Sequence, residues 1–205
     1  MGAPFRLPPH YHKLIVKSNM KTPSLFVTFF FKILILSCLC QCHKYAKTSS
    51  MKYKLNFSTS HHQFYIADKF SEGDTGSDDF WTNEAFDAQL AVGNGVLGIG
   101  TGSYGVIHGE LTILPKLSEN TDFASYDHVV EGSINIKSGV VQILDCPNST
   151  LELEAKVQPG SYRVRVYSSN LASVTDDNGD DFYKIEIWPA ERSDRLVLKR
   201  YNGPK

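Results

Sequence analysis

From Met51 onward the chain alternates apolar and polar side chains in the manner of a β-strand. Tyr53, Leu55 and Phe57 fall on one side of an extended backbone, and Lys54 and Asn56 fall on the other. Residues 63–66 form a second short run of the same kind. Residues 71–79 are acidic and rich in Gly and Ser, which predicts a loop. The spacing of Ala85, Phe86, Leu90 and Ala91 predicts a helix over 82–92, capped by Thr82 and closed by Gly93. Beyond it the pattern is β: 106–114, 129–136, 140–144, 151–157, 162–167, 182–188 and 196–198 all read as strands. Turn residues lie between them, notably Pro159-Gly160 and Asn178-Gly179. In 162–167, Tyr162, Val164 and Val166 point one way and Arg163 and Arg165 the other, so one face of that strand is expected to be core and the other wet. Many short strands with a single short helix predict a mainly β fold, an antiparallel β-sandwich.

Charge divides the chain before this pattern begins. The first 50 residues carry Arg6, Lys13, Lys17, Lys21, Lys32, Lys44 and Lys47 and no acid, whereas all 22 acidic side chains lie at or beyond Asp68. A basic leader (1–50) is therefore read apart from an acidic domain (51–201) and a short tail (202–205). Within the leader, LFVTFFFKILIL at 25–36 is apolar, with four basic residues upstream, as in a signal peptide or short anchor. If that is its role, the domain is membrane-tethered or extracytoplasmic, and Ile35-Leu36-Ser37-Cys38 loosely matches a lipoprotein processing box. The alternative, to which the abrupt start of strand pattern leans, is translation from Met51 and a cytoplasmic protein without a membrane partner. Cys38, Cys40 and Cys42 belong to the leader. Their C-x-C-x-C run with His43 lacks a second ligand cluster, so no metal is expected. Cys146 is alone in the domain, which leaves it no internal disulfide partner. The domain's acidic balance argues against direct nucleic-acid binding, because no Lys/Arg excess is available to displace condensed counterions. A basic protein surface suits that field better.

Candidate chemistry is sparse. Gly100, Gly102 and Gly105 satisfy G-x-G-x-x-G, the spacing that lets backbone approach phosphates. The other kinase motifs are missing and no βαβ unit follows, so the segment is read as a glycine-rich strand and turn. His61-His62 has no orienting acid or further ligand in its neighbourhood of sequence, and neither His108 nor His128 is spaced to join it. No catalytic residue, enzyme activity or cofactor is expected. Asp176-Asp177-Asn178-Gly179-Asp180-Asp181 begins like a calcium loop, but Gly179 is fourth rather than sixth and Ile187 stands where the Glu should be. Asn178-Gly179 between two β runs is instead a hairpin signal. Asp176, Asp177, Asp180 and Asp181 at that tip, with Glu72, Asp74, Asp78 and Asp79 in the other acidic loop, can imitate the phosphates of a nucleic acid. Solvated turns are the alternative.

Four short motifs, in order, resemble the competence protein J family. They are Ser60-His61-His62-Gln63-Phe64-Tyr65-Ile66, Phe80-Trp81-Thr82-Asn83-Glu84-Ala85, Pro159-Gly160-Ser161-Tyr162-Arg163 and Ile187-Trp188-Pro189-Ala190. The resemblance spans nearly all of 51–201, while the glycines at 93–105 and the leader depart from it. It implies a non-catalytic inhibitor that binds the DNA-entry nuclease of naturally competent bacteria. A nuclease that holds DNA presents a basic groove, so the two acidic loops are expected to face it, together with Trp81; an aromatic face anchored by Trp81 or Trp188 in place of the loops is the alternative. The other expectation is a β-sandwich binding module that inhibits nothing, surface-tethered if the leader is genuine.

Overall fold

The structure is a computed structural model and describes residues 49–203. The basic leader, with its apolar run and Cys38, Cys40 and Cys42, lies outside the described residues. Eleven strands and one helix follow in the order β1 (Met51–Ser58), β2 (Gln63–Asp68), α1 (Asn83–Ala88), β3 (Leu90–Gly93), β4 (Val96–Gly100), β5 (Val106–Ile113), β6 (His128–Ile136), β7 (Val140–Leu144), β8 (Leu151–Lys156), β9 (Gly160–Ser169), β10 (Phe182–Pro189) and β11 (Leu196–Lys199). A single 3₁₀ turn, Leu171–Ser173, lies between β9 and β10. The strands make two sheets, ordered β1-β5-β10-β9-β6-β11 and β3-β4-β2-β7-β8. The mainly β sandwich with one short helix is thus the observed architecture. Pairing is antiparallel except between β5 and β10, which run parallel. Phe64, Ile66, Leu97 and Ile99 of the smaller sheet and Ile107, Leu111, Val164, Val166 and Ile185 of the larger are buried in one apolar cluster. Each such side chain removed from water contributes about 1.5–3 kcal/mol.

The helix is shorter than its apolar spacing predicts. Thr82 does cap it, accepting the Ala85 N–H on Oγ1 at 3.3 Å. However, Gln89 ends it in a left-handed conformation (φ 53°), and the chain continues as β3 instead of reaching Gly93 as helix. The reason is two-sided burial. Leu90 packs in the core between the sheets, while adjacent Ala91 packs with Phe80, Ala85 and Tyr65 on the opposite face. Neighbouring residues facing opposite ways is strand geometry, not helix geometry. A two-residue turn, Asn94-Gly95, with Gly95 at φ 72°, then folds β3 back on β4.

The wet face expected for β9 is also corrected. Tyr162, Val164 and Val166 do face the core, but Arg163 and Arg165 are only 6% and 7% exposed. β9 lies in the middle of its sheet, between β10 and β6, and its outer face is roofed. Glu131 of β6 receives Arg163 Nη2 at 3.1 Å and Arg165 Nε at 2.5 Å. Arg165 also donates to the Asn120 carbonyl at 2.7 Å and lies 5.4 Å from the Phe123 ring centre, both on the segment that leads into β6. Arg163 donates to the carbonyls of Ser193 and Asp194, each at 2.9 Å. Buried guanidinium groups are tolerated there because each is paired and hydrogen-bonded.

Candidate functional site

The two acidic loops differ in how much charge they offer to solvent. In the first, Glu72, Asp74, Asp78 and Asp79 are all exposed. Asp74 Oδ1 accepts the Gly76 N–H at 2.9 Å in a local turn. In the second loop, Asp176, Asp177 and Asp180 are exposed. The loop does join antiparallel neighbours β9 and β10, but its tight turn is centred on Asp176-Asp177 rather than on Asn178-Gly179. Asp176 and Asp177 have φ of 48° and 69°, and Thr175 bridges to Asn178. Aspartate adopts this region more readily than most residues.

Asp181 does not belong with them. It is 1% exposed, accepts the Ser103 N–H at 3.0 Å and the Tyr183 O–H at 2.5 Å, and is also bonded by Ser103 Oγ. As the residue before β10 it points inward, so it is a structural carboxylate and not a partner contact. Burial and the nearby Asp181 charge together push the Tyr183 phenol well above its ordinary range.

These bonds also decide what the glycine-rich segment can do. A phosphate cradle needs converging free N–H groups. Here every amide at 100–104 is taken. Gly100 donates to the Gln89 carbonyl at 3.0 Å, Thr101 to the His62 carbonyl at 2.8 Å, and Tyr104 to the Asp177 carbonyl at 2.7 Å. Gly102 donates to the Tyr183 hydroxyl at 2.7 Å, and Ser103 to Asp181. The segment is a strand end and turn, as its sequence suggests.

One end of this segment floors an open groove of about 420 Å³. Trp81, just before the helix, and Phe86, on it, form one wall, their rings stacked with centres 5.1 Å apart and Phe86 57% exposed. Leu171 and Val174 of the second acidic loop line it as well. The β1–β2 turn borders it with His61 and His62, both at left-handed φ (58° and 53°) and both packed edge-on against Tyr104. His62 Nδ1 donates to the Gly102 carbonyl at 2.9 Å, and its Nε2 lies 3.4 Å from Asp177 Oδ1. Tyr201 completes the lining. Its N–H reaches His128 Nδ1 at 3.3 Å, and His128 Nε2 in turn donates to the Ala88 carbonyl at the helix end, at 2.9 Å. Trp81 Nε1, Gln89 Oε1 and the Tyr201 hydroxyl are buried without a hydrogen-bond partner, the three such side-chain atoms among the described residues, and all three residues line this groove. Unpaired buried polar atoms each cost about 1–3 kcal/mol, and these three are covered by the protein itself, the Tyr201 hydroxyl by the tail at Gly203.

Of the sequence-derived candidates, the fold therefore brings Trp81, His61, His62 and the Asp177 loop to one groove. It buries Asp181 and also Trp188, which is 2% exposed and so unavailable as an anchor. Phe86, Gln89, Leu171, Val174 and Tyr201 carry no motif, and only the exposed aromatic on an otherwise short helix is visible in the sequence.

No protein-family model matches the chain, and no curated protein matches it. Among solved structures, the fold is similar to that of ComJ from Bacillus subtilis, described as an inhibitor of the DNA-degrading activity of NucA. The two share 19% identity with a TM-score of 0.54, covering 70% of this chain and all of that one. The chain also matches the product of crocagin biosynthetic gene J at 17% identity, with a TM-score of 0.47 and the same coverage. The domain thus has a ComJ-like fold.

Proposed function

We propose that the domain is a non-catalytic inhibitor that binds a DNA-degrading nuclease and blocks its basic, DNA-holding groove. The observation that carries this is the ComJ-like fold bearing two loops of exposed carboxylates: Glu72, Asp74, Asp78 and Asp79 on one, Asp176, Asp177 and Asp180 on the other. A groove built to hold phosphates attracts such loops, which speeds encounter and fixes orientation. The partner is a protein and not a nucleic acid, and no cofactor is needed. Among the described residues, no helix is long and apolar enough to cross a membrane.

The test replaces charge without shape. Asp176, Asp177 and Asp180 are changed to Asn in one variant, and Glu72→Gln with Asp74→Asn, Asp78→Asn and Asp79→Asn makes the other; Asp181 is left alone in both. With a nuclease captured from the source cell, each variant should associate more slowly and inhibit less at low salt. The wild-type advantage should fade as ionic strength passes about 0.1 M, where the Debye length is about 10 Å. Wild-type inhibition by both variants at low salt would overturn the proposal. The aromatic groove supports a second possibility, a binding module that recognises a protein segment without inhibiting it, and only the nuclease assay separates the two.

A further inference from the structure

We infer that the free edge of β6, at residues 133–135, is a docking slot for an extended acidic segment of a partner protein, which adds there as a further strand of the larger sheet. β6 is paired with β9 along its whole length, from His128 to Ile136. On its other side β11 covers only Val129, Val130 and Glu131. Beyond Glu131 the chain ahead of β11 is drawn over the outer face of the sheet, where Ser193 donates to Ser133 Oγ and the Ser193 and Asp194 carbonyls receive Arg163. The next ladder fixes which way the backbone groups of β6 point. Ala190, just after β10, donates to the Ser161 carbonyl at 3.1 Å, so Ser161 turns its peptide groups toward β10. Gly160, Tyr162 and Val164 turn theirs toward β6, opposite Ile136, Ile134 and Gly132. The N–H and C=O of Ser133 and Asn135 therefore point out of the sheet edge, and no hydrogen bond among the described residues takes them up.

The slot has room for a strand. Ser133 and Asn135 line a cavity of about 370 Å³ with Ser161, the β3–β4 turn and Arg192, and Asn135 is exposed. The unpaired stretch 132–136 is about 17 Å long at about 3.4 Å per residue, and such an edge invites pairing unless it is covered or charged. The other edges are guarded. β1 carries Lys52 and Lys54, and β8 carries Glu152, Glu154 and Lys156. β3 has four residues, and Arg195 caps its Leu90 carbonyl at 2.9 Å. Charge selects the occupant. Arg192 is the one charged side chain lining the cavity; it is exposed and makes no hydrogen bond or ion pair among the described residues. Lys137, likewise unpaired, stands in an adjoining hollow that shares Asn94, Gly95 and Asn135 with the cavity and also holds Glu72. Alternate side chains of an added strand fall on two sides. One set meets Arg192, on the loop over the outer face, and the other meets Val92, which packs against the core. Acidic and apolar residues in alternation suit both. The inference holds whether or not the partner is a nuclease.

The test uses the full chain, isotope-labelled for its amide resonances, and the capped peptide acetyl-Glu-Val-Glu-Val-Glu-amide, with its Lys-for-Glu counterpart as control. The readout is hydrogen exchange at single amides. Those of Ser133 and Asn135 should exchange freely in the protein alone and slow about tenfold when the peptide stands at about ten times its Kd. Those of Gly132 and Ile134, already bonded to β9, should not change. The lysine peptide should bind several-fold more weakly, and Arg192→Gln, an exposed change, should weaken the acidic peptide by about two- to fivefold. Asn135→Pro removes an edge N–H and leaves the β9 ladder intact, so the protein should stay folded and lose the peptide. The inference is overturned by the absence of saturable binding, by binding that leaves exchange at Ser133 and Asn135 unchanged, by equal binding of the lysine peptide, or by wild-type binding in both variants. Slow exchange at these two amides without peptide, quickening on dilution, would give the edge to a second copy of the chain and overturn it as well.

Discussion

Replacing Asp181 by alanine removes the acceptor that three donors share. The carboxylate is 1% exposed and receives the Ser103 N–H, the Ser103 hydroxyl and the Tyr183 O–H. Tyr183 in turn accepts the Gly102 N–H, so one side chain holds the turn after β4 against the start of β10. With the carboxylate gone, water has no ready route to the Ser103 amide, and a buried amide left unpaired costs about 1–3 kcal/mol. The two hydroxyls can rotate toward other partners and lose less. We expect Asp181→Ala to destabilise the domain by about 3–5 kcal/mol, which for a domain of this size lowers Tm by roughly 6–20 °C. Asp181→Asn keeps one acceptor oxygen for the Ser103 N–H and the Tyr183 O–H and turns an NH2 toward the Ser103 hydroxyl, which can rotate to accept it; with the charge assistance also lost, the cost is about 1–2 kcal/mol. The control is the triple change of Asp176, Asp177 and Asp180 to Asn, exposed sites where each substitution costs within about 0.5 kcal/mol. Urea and thermal unfolding of the three variants, followed by tryptophan fluorescence and far-UV circular dichroism, gives the order. If Asp181→Ala unfolds with the triple variant rather than well below it, the structural role assigned to this carboxylate is wrong.

Two further outcomes follow from buried groups near the groove. Burial first, then the bond to Cys146 Sγ at 3.3 Å, pushes the Tyr65 phenol up to about 12. The folded state therefore holds this proton more tightly than the unfolded chain, where the value is about 10, so the stabilisation is complete below about pH 10 and lost as pH rises towards 12, up to about 3 kcal/mol in all. Tyr65→Phe should flatten part of the alkaline fall in the urea midpoint, and an unchanged slope would refute the shift. Gly98→Ala would put a Cβ 2.7 Å from Trp81 Cζ2 and 2.9 Å from Phe80 Cε1, closer than real contacts allow. The fold should survive with a cost of about 1–3 kcal/mol while the Trp81 emission and its indole resonance shift; an unmoved Trp81 would mean that the ring does not lie on β4.

Strands with one wet face were legible because burial alternates along them. β5 reads exposed-buried-exposed-buried from Val106, and β1 buries Leu55 and Phe57 between exposed neighbours. β3 was not legible as a strand. Leu90 and Ala91 are buried on opposite faces, so no alternation remains, and Leu90 falls four residues after Phe86 as a helical stripe would. The stronger cue was Asn94-Gly95, a two-residue hairpin signal between Gly93 and Val96. For β9 the alternation was right about which residues share a face and wrong about water. The clue lay in the loop ahead of β6, where Phe123 and Tyr126 pack 6.1 and 4.7 Å from the Tyr167 ring and help to roof the arginines.

The candidate site was legible only in part, and the glycines show why. Counting charge treats Asp180 and Asp181 alike, yet one is exposed and the other is the buried acceptor of the turn at Ser103. Motif spacing treats the glycines at 100, 102 and 105 as a phosphate signature, whereas those at 98, 100 and 102 are the alternate positions along β4 and the turn after it. Their use here is close approach. At Gly98 a Cβ would collide with the Trp81 and Phe80 rings, and at Gly100 it would stand 3.2 Å from Gln89 Cα. At Gly102 it would meet Val174 Cγ2 at 2.9 Å. Trp81, Gln89 and Val174 all line the groove. The glycine periodicity that looks like a nucleotide loop is thus the imprint of alternate residues along β4 and the turn after it, each lacking a side chain so that one part of the groove wall can settle against the backbone. A G-x-G pattern on a strand with period-2 geometry points to what packs on that face, here the Trp81 indole, Gln89 and the Val174 methyl groups.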